Sequence, residues 1–371
     1  MKAKHCIFVI LLFSFIQKIA AQKPLRIGIL QDYGFVLKHS PKIGHLQTHP
    51  WASTIFMEKY HLGDKEWEER WHYPKTSFAF TYFDFRSPII GKTLAISANI
   101  ILPLARHQKW SLESKIGTGF VYATQPFDIQ SNPQNNVLSN SWSYVLQTGF
   151  WFNYHLAKHW QLISALQLTH YSNGAYKLPN SGVNVISYAL GAAYLLNPEQ
   201  IKFKKTRSKS FVKQSYLDIS SSIALIETVI NQPTKHKIFN INFIFNRDIS
   251  PGHRLQTGWD ISWNEGIAYQ INQKYAGKSN KPDYRRMAWL VGDELNLGKM
   301  SLNIQFGVYF YRQFEAISDM AFYQRYGLRY YPKPYFWLGA YLKSHAATAE
   351  AGEFTVGTHL RLSKKKVNPK N

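Results

Sequence analysis

The sequence predicts an all-β chain that crosses a membrane as an antiparallel β-barrel of about 12–16 strands, and three observations carry that expectation. The 371 residues are 45% apolar and 16% aromatic, yet the mean hydropathy is −0.29. Strands that face lipid on one side and a polar lumen on the other have that mixture. Segments of period-two alternation rich in β-branched and aromatic residues recur along the chain, separated by turn signals. Their connections alternate between short and long, as in bacterial outer-membrane barrels. The same figures exclude other classes. Aromatics are too abundant for a disordered chain. One cysteine cannot build a disulfide framework. After the N-terminus, no apolar run approaches the roughly 18 residues that a spanning helix needs.

The N-terminus reads as a secretory signal over residues 1–21. Lys2 and Lys4 precede the apolar stretch 6–16, and Ala20-Ala21 supplies a small-residue site, so cleavage is expected before Gln22. Cys6 lies ahead of the apolar run and not at its end, which does not indicate a lipoprotein anchor. Removing residues 1–21 takes three lysines and no acid from a chain of net charge +22, and the mature chain then holds no cysteine.

Strand patterns follow over 110–127, 142–156, 161–173, 185–196, 238–245, 300–311 and 335–343, within a total of up to 16 candidates. Residues 64–70 (DKEWEER) read as a helical turn, and no stretch reads as a long helix. Tight turns are expected at 157–159, 297–299 and 331–334, and longer polar loops at 128–140 and 272–283. A basic connector, KFKKTRSKSFVK, spans 202–213. No break in composition divides the chain, so one barrel is expected over 22–363, followed by a basic tail at 364–371.

For an exported chain, nucleic acid is a poor partner for the positive charge. Lys and Arg at strand ends would instead meet the phosphates of membrane glycolipid. His39, His45, His49, His61 and His72 lack ligand spacing, so loop or lumen hydrogen bonding is expected of them. No metal or cofactor is expected. The Trp and Tyr abundance fits an interfacial girdle.

The informative stretch is 168–185, LTHYSNGAYKLPNSGVNV. His170 and Ser172 are two apart, so on a strand they share a face, and their parity matches the mostly apolar set Leu162, Ser164, Leu166 and Leu168. Asn184 shares parity with Ile186, Tyr188, Leu190, Tyr194 and Leu196. If the hairpin closes symmetrically about Lys177, His170 stands opposite Asn184. Three polar groups then cluster on the lipid-facing wall, where a lone polar group costs energy. A serine hydroxyl becomes a useful nucleophile when a histidine takes its proton, and the histidine needs a third group to orient it. Ser172, His170 and Asn184 fit those roles. Asn173 and the Gly174 amide are candidates for an oxyanion site. Asp84 and Asp128 are carboxylates that could orient the histidine in place of Asn184.

His170, Ser172, Asn173, Lys177, Pro179 and Asn180 resemble the motif of the lipid A 3-O-deacylase family, which hydrolyses an acyl ester of lipopolysaccharide with a Ser–His–Glu triad on the outer wall of a small barrel. That family would place Glu where this chain has Asn184. His-x-Ser-Asn-Gly with Asn fourteen residues after the His also resembles outer-membrane phospholipase A, whose triad is Ser–His–Asn. The calcium-site acid of that enzyme would fall at Lys177, so the resemblance implies no calcium here. The deacylase resemblance is the closer over 166–196. It implies a serine esterase of the bacterial outer membrane that acts on the acyl chains of lipid A. A phospholipase, or a catalytically silent pore or structural barrel, stands as the alternative, and the sequence leaves oligomeric state open.

Overall fold

The computed structural model describes residues 24–206, 211–230, 232–316, 320–346 and 348–362, so the expected signal segment at 1–21 and tail at 364–371 lie outside the described residues. Sixteen antiparallel strands are present among the described residues, at the upper end of the expected range. They differ from the expected single barrel over 22–363 by closing as two barrels of eight. The physical reason is the closing register. Strand β8 (Val183–Leu196) pairs back on β1 (Leu25–Val36), with Ile29 opposite Ala192. Strand β16 (Thr348–Arg361) pairs back on β9 (Ser215–Ile226), with Thr358 opposite Ile219. The chain divides into two compact units, Met1–Ser172 with Gly182–Arg207 and Asn173–Ser181 with Ser208–Asn371. The basic connector at 202–213 spans the division, and the signal for two domains lies there.

The first barrel continues from β1 through β2 (Trp51–Tyr60), β3 (Lys75–Asp84), β4 (Lys92–Arg106), β5 (Trp110–Ala123), β6 (Trp142–His155), β7 (Trp160–Ser172) and β8. Helix α1 (Glu66–Arg70) is the turn expected from DKEWEER. Alternation decides which way each side chain points. On β7 Leu162, Leu166 and Leu168 face outward, while Gln161, Ile163, Ala165 and Thr169 are buried in the lumen. A closed sheet leaves no unpaired edge, which a membrane span requires of strands. No helix among the described residues is long and apolar enough to cross a membrane.

Eight strands enclose a lumen that side chains can fill, and here a charged lattice fills it. Arg26 on β1 pairs with Glu58 on β2 at 2.8 Å, and Lys75 on β3 reaches Glu58 at 2.9 Å and Glu113 on β5 at 2.7 Å. Arg26 also donates to Asn153 on β6 (2.8 Å) and Gln161 on β7 (2.5 Å). Six of the eight strands are thereby tied across the interior. At one end of the barrel the loops 37–50, 85–91 and 124–141 fold inward. Ile43, Leu46, Phe85, Ile90, Val137 and Leu138 join Tyr171 and Val183 in a buried apolar cluster. The opposite end carries the short connections 107–109 and 156–159 along with the longer 61–74.

The second barrel runs from β9 through β10 (His236–Ser250), β11 (His253–Asn264), β12 (Arg285–Leu297), β13 (Met300–Arg312), β14 (Phe322–Lys333) and β15 (Phe336–His345) to β16. Its turns at 251–252, 298–299 and 334–335 are set against the longer 227–235 and 265–284, while β15 and β16 are only two residues apart. The longer of these holds helix α2 (Glu265–Lys274), which the sequence reading missed. Asn264 caps it by accepting from the amides of Gly266 and Ile267. This lumen is also filled. Glu294 meets Arg254 (3.3 Å) and Arg329 (3.5 Å) and accepts from Tyr331 (2.6 Å). Arg329 also pairs with Asp218 at 2.7 Å, and Arg325 with Glu353 at 2.5 Å. The five cations named in the two lumens are matched by five carboxylates, so these ion pairs take up none of the excess positive charge.

Candidate active site

The hairpin β7–β8 brings together the polar residues that the sequence singles out. His170 is in register with Asn184, and Leu146 and Tyr144 on β6 stand beside His170 and Ser172. All three candidate triad residues keep the parity of the lipid-facing leucines. Ser172, the last residue of β7, is nonetheless only 8% exposed. His170 Nδ1 lies 2.6 Å from Asn184 Oδ1. An amide oxygen only accepts, so Nδ1 carries the proton and donates it, leaving Nε2 with its lone pair as the basic nitrogen.

The ring is also held from behind. Gly182 has φ +68°, and a Cβ built there would stand 2.8 Å from His170 Cε1 and 3.1 Å from the Tyr171 carbonyl. Only glycine lets the backbone approach the imidazole this closely. The Gly182 amide donates to the Val137 carbonyl (3.2 Å), so the long polar loop after β5 supports the ring at one remove. That loop is braced in turn by its own asparagines. Asn135 donates to the Gln125 and Ile89 carbonyls and accepts from the Val137 and Leu138 amides.

Asn173 and Gly174, the proposed oxyanion residues, belong to the segment Asn173–Ser181 of the second unit. The Asn173 amide donates to Asn180 Oδ1 (3.1 Å) and its side chain to the Lys177 carbonyl (2.9 Å). Gly174 has φ +64°, and its carbonyl accepts from the Gly352 amide (3.1 Å). In the same unit Glu227 accepts from the Leu178 amide at 2.8 Å and from Lys235 at 2.7 Å. Asp84 and Asp128 do not reach His170. Asp84 accepts from the Arg86 amide and Asp128 from Gln130 and Ser131.

One neighbour escaped the sequence reading. Asn184 Nδ2 lies 3.1 Å from His39 Nδ1, in the loop after β1. The signal was present as the outward parity of Ile29, Tyr33, Phe35 and Leu37, which His39 continues. Of the other scattered histidines, His45 bonds the Gln134 carbonyl and His61 bonds Glu68 and Thr76, the loop and lumen roles expected. No group of three or more His, Cys, Asp or Glu among the described residues could hold a metal ion.

A family model described as lipid A 3-O-deacylase matches residues 56–193, which span β2 to β8 and contain the whole His170–Ser172–Asn184 cluster. A second, described as the acyloxyacyl hydrolase C-terminal domain, matches residues 215–363, beginning at the first residue of β9. The chain belongs to the lipid A 3-O-deacylase family. It is a protein of the bacterial outer membrane, and its family is one of lipid A hydrolases. The two matches part where the two barrels part. Among solved structures, that of Neisserial surface protein A is similar at 14% identity, covering 46% of this chain and 96% of its own, with a TM-score of 0.32. The outer membrane enzyme PagL is similar at 16% identity over 44% of this chain and 97% of its own, with a TM-score of 0.30. A search of curated proteins returned no match.

Proposed function

We propose that the chain is a serine esterase that removes an ester-linked fatty acyl chain from lipid A at the outer wall of its first barrel. The carrying observation is the 2.6 Å bond from His170 to Asn184, on the lipid-facing parity and two residues from Ser172, inside a lipid A 3-O-deacylase match. In this reading Ser172 Oγ attacks the ester carbonyl while His170 Nε2 takes its proton. The tetrahedral oxyanion takes a hydrogen bond from the Gly174 amide, with Asn173 beside it. As the carbon–oxygen bond to the sugar breaks, the imidazolium returns the proton to the departing oxygen. Water then attacks the acyl-serine, His170 takes a proton from it, and Ser172 is regenerated as the fatty acid leaves. Asn184 orients His170 throughout but lends no negative charge to the imidazolium. The filled lumens give no support to a pore.

A second reading, hydrolysis of glycerophospholipid by the same residues, is favoured by the amide at position 184, since the phospholipase pattern carries Asn there. Mass spectrometry of lipid A and phospholipid after incubation with detergent-purified protein separates the two. Loss of one hydroxyacyl mass from lipid A with wild type, reduced at least about a thousandfold in Ser172→Ala, is the expected result. Serine-dependent fatty acid release from phospholipid alone supports the second reading. No serine-dependent release from either overturns both.

A further inference from the structure

An amide in the third position of a triad has a weakness that a carboxylate lacks. A carboxylate presents an acceptor whichever way it is turned. An asparagine presents an acceptor in one orientation and a donor in the other, and the two differ by a half-turn about one bond. Turned the wrong way, Asn184 would aim N–H at His170 Nδ1. That nitrogen would then have to accept, the proton would move to Nε2, and His170 could no longer deprotonate Ser172. Something must select the working orientation.

We propose that His39 is that selector, a positioning residue acting through Asn184; the inference rests on the triad reading above. His39 Nδ1 lies 3.1 Å from Asn184 Nδ2, on the side opposite His170. A neutral imidazole with an unprotonated Nδ1 accepts from the amide N–H, so this tautomer of His39 favours the working orientation and disfavours the reversed one, which would aim Oδ1 at the lone pair of Nδ1. The backbone delivers this geometry. Strand β1 closes the barrel on β8 with Val36 opposite Val185, and the Leu37 amide donates to the Asn184 carbonyl at 2.8 Å. His39 follows two residues later with the outward parity of Leu37. Strand order β7–β8–β1 thus becomes a row His170–Asn184–His39 along one rim. The Leu37 carbonyl lies 3.3 Å from His39 Nδ1 and would reward a proton there, so the tautomer of His39 is the variable on which the row depends.

The test uses the detergent-solubilised full chain and a fluorophosphonate, which labels an activated serine whatever the natural lipid. Labelling rates are compared for wild type, His39→Ala, Asn184→Asp and the double variant, with Ser172→Ala as blank. His39→Ala is expected to slow labelling about tenfold in the Asn184 protein, the effect of one lost hydrogen bond and a partly reversed amide. In the Asn184→Asp protein, where the third residue needs no selector, the same change is expected to slow labelling less than twofold. An equal loss in both backgrounds would show that His39 merely holds its loop, and no loss in either would remove it from the row; both overturn the proposal while leaving the triad standing. Labelling that persists in Ser172→Ala overturns the triad reading itself.

Discussion

Replacing Gly182 with alanine tests whether the position of the His170 ring governs the chemistry. The new Cβ would stand 2.8 Å from His170 Cε1, and ordinary contact begins at 3.4 Å, so the ring or the loop must give by about 0.6 Å. The loop cannot give freely, because the Gly182 amide is bonded to Val137 and the Cβ also meets the Tyr171 carbonyl at 3.1 Å. A side chain at φ +68° adds about 1–2 kcal/mol of backbone strain. Most of the displacement therefore falls on the imidazole, whose bond to Asn184 is 2.6 Å long. Misplacements near 1 Å cost on the order of a hundredfold in rate. The expectation is a 10- to 100-fold drop in the rate of lipid A deacylation, measured in single turnover, with a thermal midpoint lowered by only a few degrees. Wild-type turnover in a folded Gly182→Ala protein would refute the claim that this ring works from the position observed.

Two further predictions concern the barrel itself. Glu58→Ala removes the carboxylate shared by Arg26 and Lys75 and leaves two buried cations short of a partner, which should cost about 3–5 kcal/mol. Guanidine titration of the purified protein reads this out, and a change below about 1 kcal/mol would mean that the lattice does not hold the strands. Leu166, 55% exposed at the middle of β7, should face hydrocarbon. Leu166→Arg should then lose about 2–4 kcal/mol in bilayers, and equal stability to wild type in equilibrium folding into vesicles would place that face elsewhere.

Much of the site was legible because a strand hairpin is local. Parity and the symmetric turn about Lys177 put His170 opposite Asn184 with nothing more than fifteen residues of sequence. The closure of the barrels was not legible in the same way, since 146 residues separate β1 from β8 and nothing near either strand announces its partner. Only the basic connector hinted at a division. His39 was missed for a related reason. Its parity could be read from Leu37 and Phe35, but its neighbour on β8 appears only once the sheet has closed. Helix α2 had a readable cap at Asn264, yet its ten residues carry too weak an apolar stripe to stand out among strand patterns. Gly182 looked like any loop glycine until its φ and the ring behind it were known.

An outward-facing cluster such as His170 and Asn184 changes what an enzyme experiences as concentration. A lipid that meets these residues arrives sideways within its own leaflet, diffusing in two dimensions, and its product departs the same way. The quantity that saturates the site is then the mole fraction of susceptible lipid in the surface. Bulk molarity should leave the rate unchanged once all the protein is membrane-bound, whereas diluting the leaflet with an inert detergent or lipid should slow it in proportion.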